Sequence, residues 1–269
     1  MIARSYLFVP GDRPERFFKA LATEASQVVI DLEDAVAPDA KTGARDQLAS
    51  WLRTGMADTE RERVMVRVNA FGTPWHAADV AMLNAANLRR VMVPKAENPS
   101  QLADIAARCG RNVELVALVE SVAGVVALRQ IAHASGVVRL AFGSFDYSVD
   151  AGTESSGRAL DYVRSQFVIE SRFAGLPAPV DGVTLSTDDP AIIAADTLDA
   201  RQFGFGGKLC IHPKQVDAVN RGFAPSDAER AWAKRVLAAL ADNPRGAISV
   251  DGKLVDKPIV DRARRIQAA

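Results

Sequence analysis

Short apolar runs alternate with amphipathic segments along most of this chain. The runs fall at Tyr6–Val9, Val28–Asp31, Val64–Asn69, Arg90–Pro94, Glu114–Val119, Val138–Phe142, Gly182–Leu185 and Gly207–Ile211. Helical patterns follow them at Arg13–Ala22, Lys41–Leu52, Pro74–Ala86, Ser100–Arg108, Val122–His133, Leu160–Ala174, Pro190–Phe203 and Pro213–Asn220. The runs lack the clean polar–apolar alternation of a half-exposed sheet, so both faces are expected to be buried. Strands of that kind lie parallel, and parallel neighbours need crossovers, which the helices supply. Eight such units in 269 residues predict an α/β chain folded as a (β/α)8 TIM barrel, whose usual size is about 250 residues. An open doubly wound sheet is the rival arrangement.

The pattern changes after the eighth unit. Ser226–Ala241 reads as a helix, with Ser226 as N-cap and Glu229 at the capping-box position. A turn is expected at Asn243–Gly246, then a hairpin whose arms, AISV and KLVD, flank Asp251-Gly252. A basic helix, Val260–Gln267, closes the chain. The expected organisation is a catalytic barrel over 1–222 and a C-terminal helical and hairpin extension, a lid, over 223–269.

Composition narrows the function. Thirty-three basic residues balance 33 acidic ones, which argues against nucleic-acid or membrane-surface binding through bulk charge. Two cysteines and three scattered histidines offer neither a disulfide framework nor zinc-ligand spacing. No apolar run is long enough to span a bilayer, and the N-terminus lacks signal-peptide features, so a cytoplasmic location is expected. The GFGGK stretch lacks the Ser or Thr of a phosphate loop and enters a strand rather than a helix. No GxSxG elbow occurs.

The polar residues gather at the C-terminal ends of the strands, the active-site face of a barrel. Strand two ends in Asp31, Glu33 and Asp34. Strand three carries Arg67 and Asn69, strand four leads to Lys95, strand five to Glu120 and strand six to Asp146, while strand eight carries Lys208. Singly, Glu120 can be read as an acid near a helix N-terminus and Asp146 as a turn residue. Arg67 interrupts an apolar strand and needs a buried anion or a ligand. Together, Glu120 and Asp146 form an oxygen-donor pair suited to Mg2+ completed by water and substrate oxygens.

The segments RSYLFVPG, DLEDAV, VRVN, VPKAE, LVESVAG, FGSFDYSVDAG and GKLCIHP resemble, in content and order, the citrate lyase β-subunit-like (CitE-like) proteins of the HpcH/HpaI aldolase superfamily. The resemblance implies a carbon–carbon lyase with one Mg2+ per subunit, cleaving citryl, malyl or citramalyl thioesters, with thioesterase activity as a variant outcome. It implies that Glu120 and Asp146 bind the metal and that Arg67 and Glu120 contact the substrate. It also implies that Asp256, in the VDKP segment, reaches a neighbouring subunit's site within a homotrimer or hexamer. Glu33 and Asp34 are then expected to hold waters around the ion and position Arg67 or Lys95; direct ligation by Asp34 stays open. Asp256 is the candidate general base or acid, and Arg13 and Arg16, with Lys19, are candidates for coenzyme A phosphates. Lys41 is read either as a brace for the acids or as a solvated helix residue. The alternatives are a citrate lyase β subunit acting on an acyl-carrier-protein thioester in a complex, a non-catalytic binding subunit, or a free-acid 2-oxo aldolase using His212.

Overall fold

In the computed structural model, which describes residues 2–110, 112–242 and 248–268, eight parallel strands close into a barrel. They are β1 (Ser5–Pro10), β2 (Gln27–Asp31), β3 (Val64–Arg67), β4 (Arg90–Val93), β5 (Glu114–Val119), β6 (Val137–Phe142), β7 (Val180–Asp181) and β8 (Gly207–Cys210). Their order around the barrel is their order in the chain, and β1 pairs with both β2 and β8. The rival open sheet is thereby excluded. Around the barrel run α1 (Phe17–Leu21), α2 (Lys41–Leu52), α3 (Asp58–Arg61), α4 (His76–Ala85), α5 (Pro99–Cys109), α6 (Val122–Val126), α7 (Leu128–Ala132), α8 (Ser144–Ala151), α9 (Asp161–Phe173), α10 (Pro190–Phe203) and α11 (Pro213–Phe223).

The two-residue period of each strand sorts side chains between two cores. Tyr6, Val29, Met65, Met92, Leu118 and Leu209 fill the barrel interior. Their neighbours, such as Leu7, Ile30, Val66, Val119, Phe142 and Cys210, pack between sheet and helices. Counting two residues on from Val29, Met65 and Leu118 puts Asp31, Arg67 and Glu120 over the interior at the C-terminal mouth.

Several expectations change, among them the single helix expected over Val122–His133, which is the pair α6 and α7. Strand seven is Val180–Asp181, not Gly182–Leu185. Gly182 is where the chain passes Ser144, so closely that a Cβ would lie 2.9 Å from Ser144 Cβ. Beyond it, Val183 to Leu185 form the rim. Lys208 does not point to the rim: it is buried against the helix layer, 3.2 Å from Asp181 and 3.0 Å from Asp196 of α10. Arg164 of α9 joins Asp181 from the other side at 2.9 Å, so an ionic network occupies the space where the short β7 offers little apolar surface. Those carboxylates outweigh the burial that would otherwise lower the Lys208 pKa, and hold it above its usual value. Finally, α3 and α8 are additional helices, and the first expected helix is a 3-10 turn, Pro14–Arg16, leading into α1.

The C-terminal segment consists of α12 (Asp227–Asp242), the antiparallel strands β9 (Ile248–Val250) and β10 (Lys253–Val255), and α13 (Lys257–Ala268). The capping box forms: Glu229 N donates to Ser226 Oγ at 3.1 Å, and Ser226 N to the Glu229 carboxylate at 2.8 Å. Asp251 and Gly252 both take positive φ, 52° and 74°, as a two-residue hairpin turn requires. The expected turn at Asn243–Gly246 lies outside the described residues. Ala233, Val236, Val260, Ala263 and Ile266 give this segment its own small core. Arg201 of α10 grips Glu229 through two hydrogen bonds of 2.9 and 2.8 Å, tying α12 to the barrel. The expected boundary at 222/223 falls in the last turn of α11.

Candidate functional site

The barrel mouth opens into a cavity of about 390 Å³. Its lining includes the charged Asp31, Asp34, Arg67, Glu120 and Asp146 and the apolar Phe8, Leu118, Val183, Leu209 and Ile211. The strand pairing places Asp31 beside Arg67. Asp31 takes the guanidinium in a fork, from Nε at 2.7 Å and Nη2 at 2.6 Å. Its two oxygens also accept from the backbone N–H groups of Glu33 and Ala35. Asp31 is thus the brace of the loop and the anchor of Arg67 at once. The guanidinium's third nitrogen lies 3.0 Å from Glu33 and 3.6 Å from Asp34, and its face rests on the Phe8 ring, 4.8 Å from the centroid. Burial works against the Arg67 charge, but Asp31 outweighs it and raises the pKa above its ordinary value.

Lys95 serves two acids. Its backbone N–H donates to Glu120 Oε1 at 2.8 Å and its ammonium lies 3.3 Å from Glu33. It does so with φ at 47°, a left-handed conformation that a non-glycine residue adopts at some cost and that is common at functional sites. Lys41 is buried and braces the acidic loop through its backbone, donating to the carbonyls of Leu32 at 3.0 Å and Glu33 at 2.7 Å. Both earlier readings of Lys41 therefore give way: it holds the loop's carbonyls rather than its carboxylates, and it is not a solvated residue. Burial lowers its pKa. Behind β3, Asn69 is held by Asp79, which accepts from its N at 2.9 Å and its Nδ2 at 2.7 Å.

Glu120 is 4% exposed and packs on the bare Cα of Gly143, where a Cβ would lie 2.4 Å from Glu120 Cβ and 2.7 Å from Oε2. Only glycine lets that carboxylate stand beside the start of α8. Asp146 is exposed in the first turn of α8 and lines the same cavity. The sequence shows α8 only in retrospect, through Ser144 at its start and Gly152 with φ 65° at its end. Burial, then the nearby Glu33 charge, push the Glu120 carboxyl up to about 8. Burial likewise pushes Glu33 to about 7, against the pull of Arg67.

These shifts have a measurable consequence. Between the ordinary carboxylate value of 4.5 and about 8, folded Glu120 binds a proton that the unfolded chain has lost. Stability falls with pH where the folded state holds more protons. The metal-free protein should therefore lose several degrees of Tm between pH 5 and pH 8. Glu120→Gln should flatten that slope; an unchanged slope in the variant would place the titration elsewhere.

The donor set suits a hard cation. Among the described residues the side-chain oxygens lining the cavity are the carboxylates of Asp31, Asp34, Glu120 and Asp146 and the hydroxyl of Ser144, Glu120 is buried beside other negative charge, and a divalent ion would replace the proton it otherwise takes. Among the described residues no cluster of three or more His, Cys, Asp or Glu side chains is arranged to hold a metal by itself. An ion at Glu120 and Asp146 would complete its shell with water and substrate, as Mg2+ does.

Other expected residues lie apart. Arg16 and Lys19 line a groove of about 570 Å³ that runs from Phe8, Pro10 and Ile211 at the mouth to His212. Arg13 is exposed and faces Asp12 at 3.9 Å, outside that lining. The His212 ring caps α11, accepting from Lys214 N at 3.2 Å, and no histidine lines the mouth cavity among the described residues. Asp256 caps α13, accepting from Ile259 N at 3.2 Å, and it does not line its own barrel's cavity.

Comparison with known proteins matches residues 4–213 to the HpcH/HpaI aldolase/citrate lyase family. A citrate lyase subunit beta-like protein of Mycobacterium tuberculosis is 37% identical over 96% of this chain and 92% of its own length. A (3S)-malyl-CoA thioesterase of Cereibacter sphaeroides is 32% identical over 98% of this chain and 93% of its own. The crystal structure of CitE from M. tuberculosis in complex with magnesium, acetoacetate and coenzyme A superposes with a TM-score of 0.85, at 35% identity, covering 99% of this chain and 97% of that one. A citrate lyase β subunit of the same organism, solved with oxaloacetate and magnesium, gives 0.72 at 35% identity, over 83% of this chain and 98% of the other.

Proposed function

The chain belongs to the HpcH/HpaI aldolase/citrate lyase family, and from that premise we propose that it is a magnesium-dependent carbon–carbon lyase. It cleaves a 3-hydroxyacyl-CoA thioester, of the citryl-, malyl- or citramalyl-CoA kind, into an acyl-CoA and a 2-oxo acid. The observation that carries this reading is Glu120, a carboxylate buried at the mouth beside the Arg67 network and facing a cavity that also holds Asp146. Magnesium in complex with a similar protein supports Mg2+ as the ion, one per subunit, with Glu120 and Asp146 as its ligands. When bound, the ion acts as a Lewis acid and a template for the substrate's oxygens.

In the cleavage the 3-hydroxyl loses its proton and its oxygen becomes the carbonyl of the 2-oxo acid. The C2–C3 electron pair moves into the thioester carbonyl as an enolate, which then takes a proton at C2. Arg67 stabilises the developing oxyanion: Asp31 fixes its orientation and its charge persists throughout. Glu33 holds that guanidinium, Lys95 holds the Glu120 carboxylate through its backbone N–H, and Asp34 at the rim holds water beside the ion. The groove with Arg16 and Lys19 accommodates the coenzyme A phosphates, a reading supported by coenzyme A in complex with a similar protein; Arg13 takes part only from outside that groove.

Purified protein with Mg2+ should cleave at least one of these CoA esters and lose the activity to a chelator. Cleavage of free 3-hydroxy acids alone, or of acyl-carrier-protein esters alone, would overturn the reading. Thioester hydrolysis after cleavage, the activity named for one relative, would appear as free coenzyme A in the same mass spectra.

Asp256 serves a neighbour's site in a trimer or hexamer, as the proton-transferring group on a lid that excludes water. Asparagine caps a helix as well as aspartate does, so Asp256→Asn removes the charge and spares α13. Turnover should drop sharply with Mg2+ affinity unchanged. Mixing Asp256→Asn with Glu120→Gln under subunit exchange should restore activity; no recovery despite proven exchange would remove the trans assignment.

A further inference from the structure

Lys41 is a buried cation at a place where local rules disfavour one. It is the first residue of α2, the end at which the helix dipole repels positive charge. That turn has no capping side chain at Ala40 and no acid. A buried ammonium is costly without partners, and a local rule broken in this way marks a position that serves something else. The contacts of Nζ show what. It donates to Leu32 O at 3.0 Å and Glu33 O at 2.7 Å. The peptide group between those two residues is held at its other end as well, because Glu33 N donates to Asp31 Oδ1 at 2.9 Å. One residue earlier, Leu32 N donates to Arg67 O at 2.9 Å. Asp31 in turn takes the Arg67 guanidinium in its fork. Both the backbone and the counter-ion of Arg67 therefore hang on the segment that Lys41 pins.

The same helix face acts a second time one turn on. Arg45 Nε donates to Asp79 Oδ1 at 2.7 Å, and the other oxygen of Asp79 takes Asn69 N and Nδ2 at 2.9 and 2.7 Å. Residues 41 and 45, four apart and so on one face of α2, thus reach the chain after β2 and the chain after β3. The Trp75 ring stands over the Lys41 ammonium, 5.2 Å from its centroid. Lys41 does not line the mouth cavity, so it acts on the reaction only through other groups. We propose, resting on Arg67 as the oxyanion-stabilising group described above, that Lys41 is a positioning residue. By pinning the peptide between Leu32 and Glu33 it fixes Asp31, and through Asp31 the angle at which the guanidinium enters the cavity. Small misplacements of such a group cost up to about 10²-fold in rate.

The test has two arms on the full-length protein, each run well below the Tm of every variant. Lys41→Met keeps the stem and removes the charge and both donors. In the first arm, with Mg2+ and the best-cleaved CoA ester, it should lower kcat by about 10- to 10²-fold in the wild-type background. In the Arg67→Lys background it should cost less than about threefold, because the group it positions is gone. Equal fold-losses in both backgrounds, as a merely structural role would give, overturn the proposal. Should Lys41→Met fail to fold, Lys41→Gln, which keeps one donor, is read by the same criterion. The second arm needs no turnover. With nitrogen-15 in the arginines, the Arg67 Nε–H signal is the one that Arg67→Lys lacks. In the Lys41 variant that signal should move and exchange with solvent at least about tenfold faster; an unmoved signal with unchanged exchange overturns the proposal. If no thioester is cleaved, the lyase reading fails, while the second arm still decides whether Lys41 places the guanidinium.

Discussion

Glu120→Gln is expected to abolish Mg2+ binding and turnover together, the latter by on the order of 10³-fold or more, the scale of several kcal/mol of lost charge stabilisation. Glutamine keeps the shape over Gly143 and can still accept the Lys95 N–H that Glu120 Oε1 takes at 2.8 Å. What it removes is the charge. Because that charge is buried beside Glu33, its loss should leave the metal-free fold intact and relieve it above pH 7. Asp146→Asn should act in the same direction on metal binding, with little effect on stability, since Asp146 is exposed on α8. Calorimetry with Mg2+ alone separates the two roles from substrate effects. Wild-type Mg2+ affinity in both variants would show that the ion is held elsewhere.

Arg67→Lys should cost on the order of 10²-fold or more in kcat, the scale of one preorganised oxyanion donor. Lysine retains the charge but not the fork that meets both oxygens of Asp31 while a third nitrogen faces Glu33. Losing those buried contacts should lower stability by about 1–3 kcal/mol, which circular dichroism would register as a lower Tm with the fold retained. The diagnostic reading is kinetic. A loss confined to KM would make Arg67 a ground-state binding group, and near-normal kcat and KM would make it structural.

Much of this molecule follows from local sequence. The repeat of apolar run and amphipathic helix is a pattern of burial that a parallel sheet covered by helices satisfies, and its closure into a barrel is decided by the pairing of β1 with β8. Within that frame the two-residue period carries Asp31, Arg67 and Glu120 to the mouth, because Val29, Met65 and Leu118 two residues earlier must face the interior. The capping box at Ser226 and the turn at Asp251-Gly252 are equally local, since each is decided by hydrogen bonds or φ values within four residues. The tertiary structure decided what depends on contacts between distant segments. Lys208 faces the helix layer because Asp181 and Asp196 meet it there, and its own strand gives no sign of them. Lys41 turns inward to the carbonyls of Leu32 and Glu33, although a lysine opening a helix reads as solvated. Gly143 matters because Glu120, from another strand, needs the space of its missing side chain. The share of Arg67 left over for a ligand is likewise set by three acids converging on one guanidinium, a matter of distances in space that spacing along the chain does not encode.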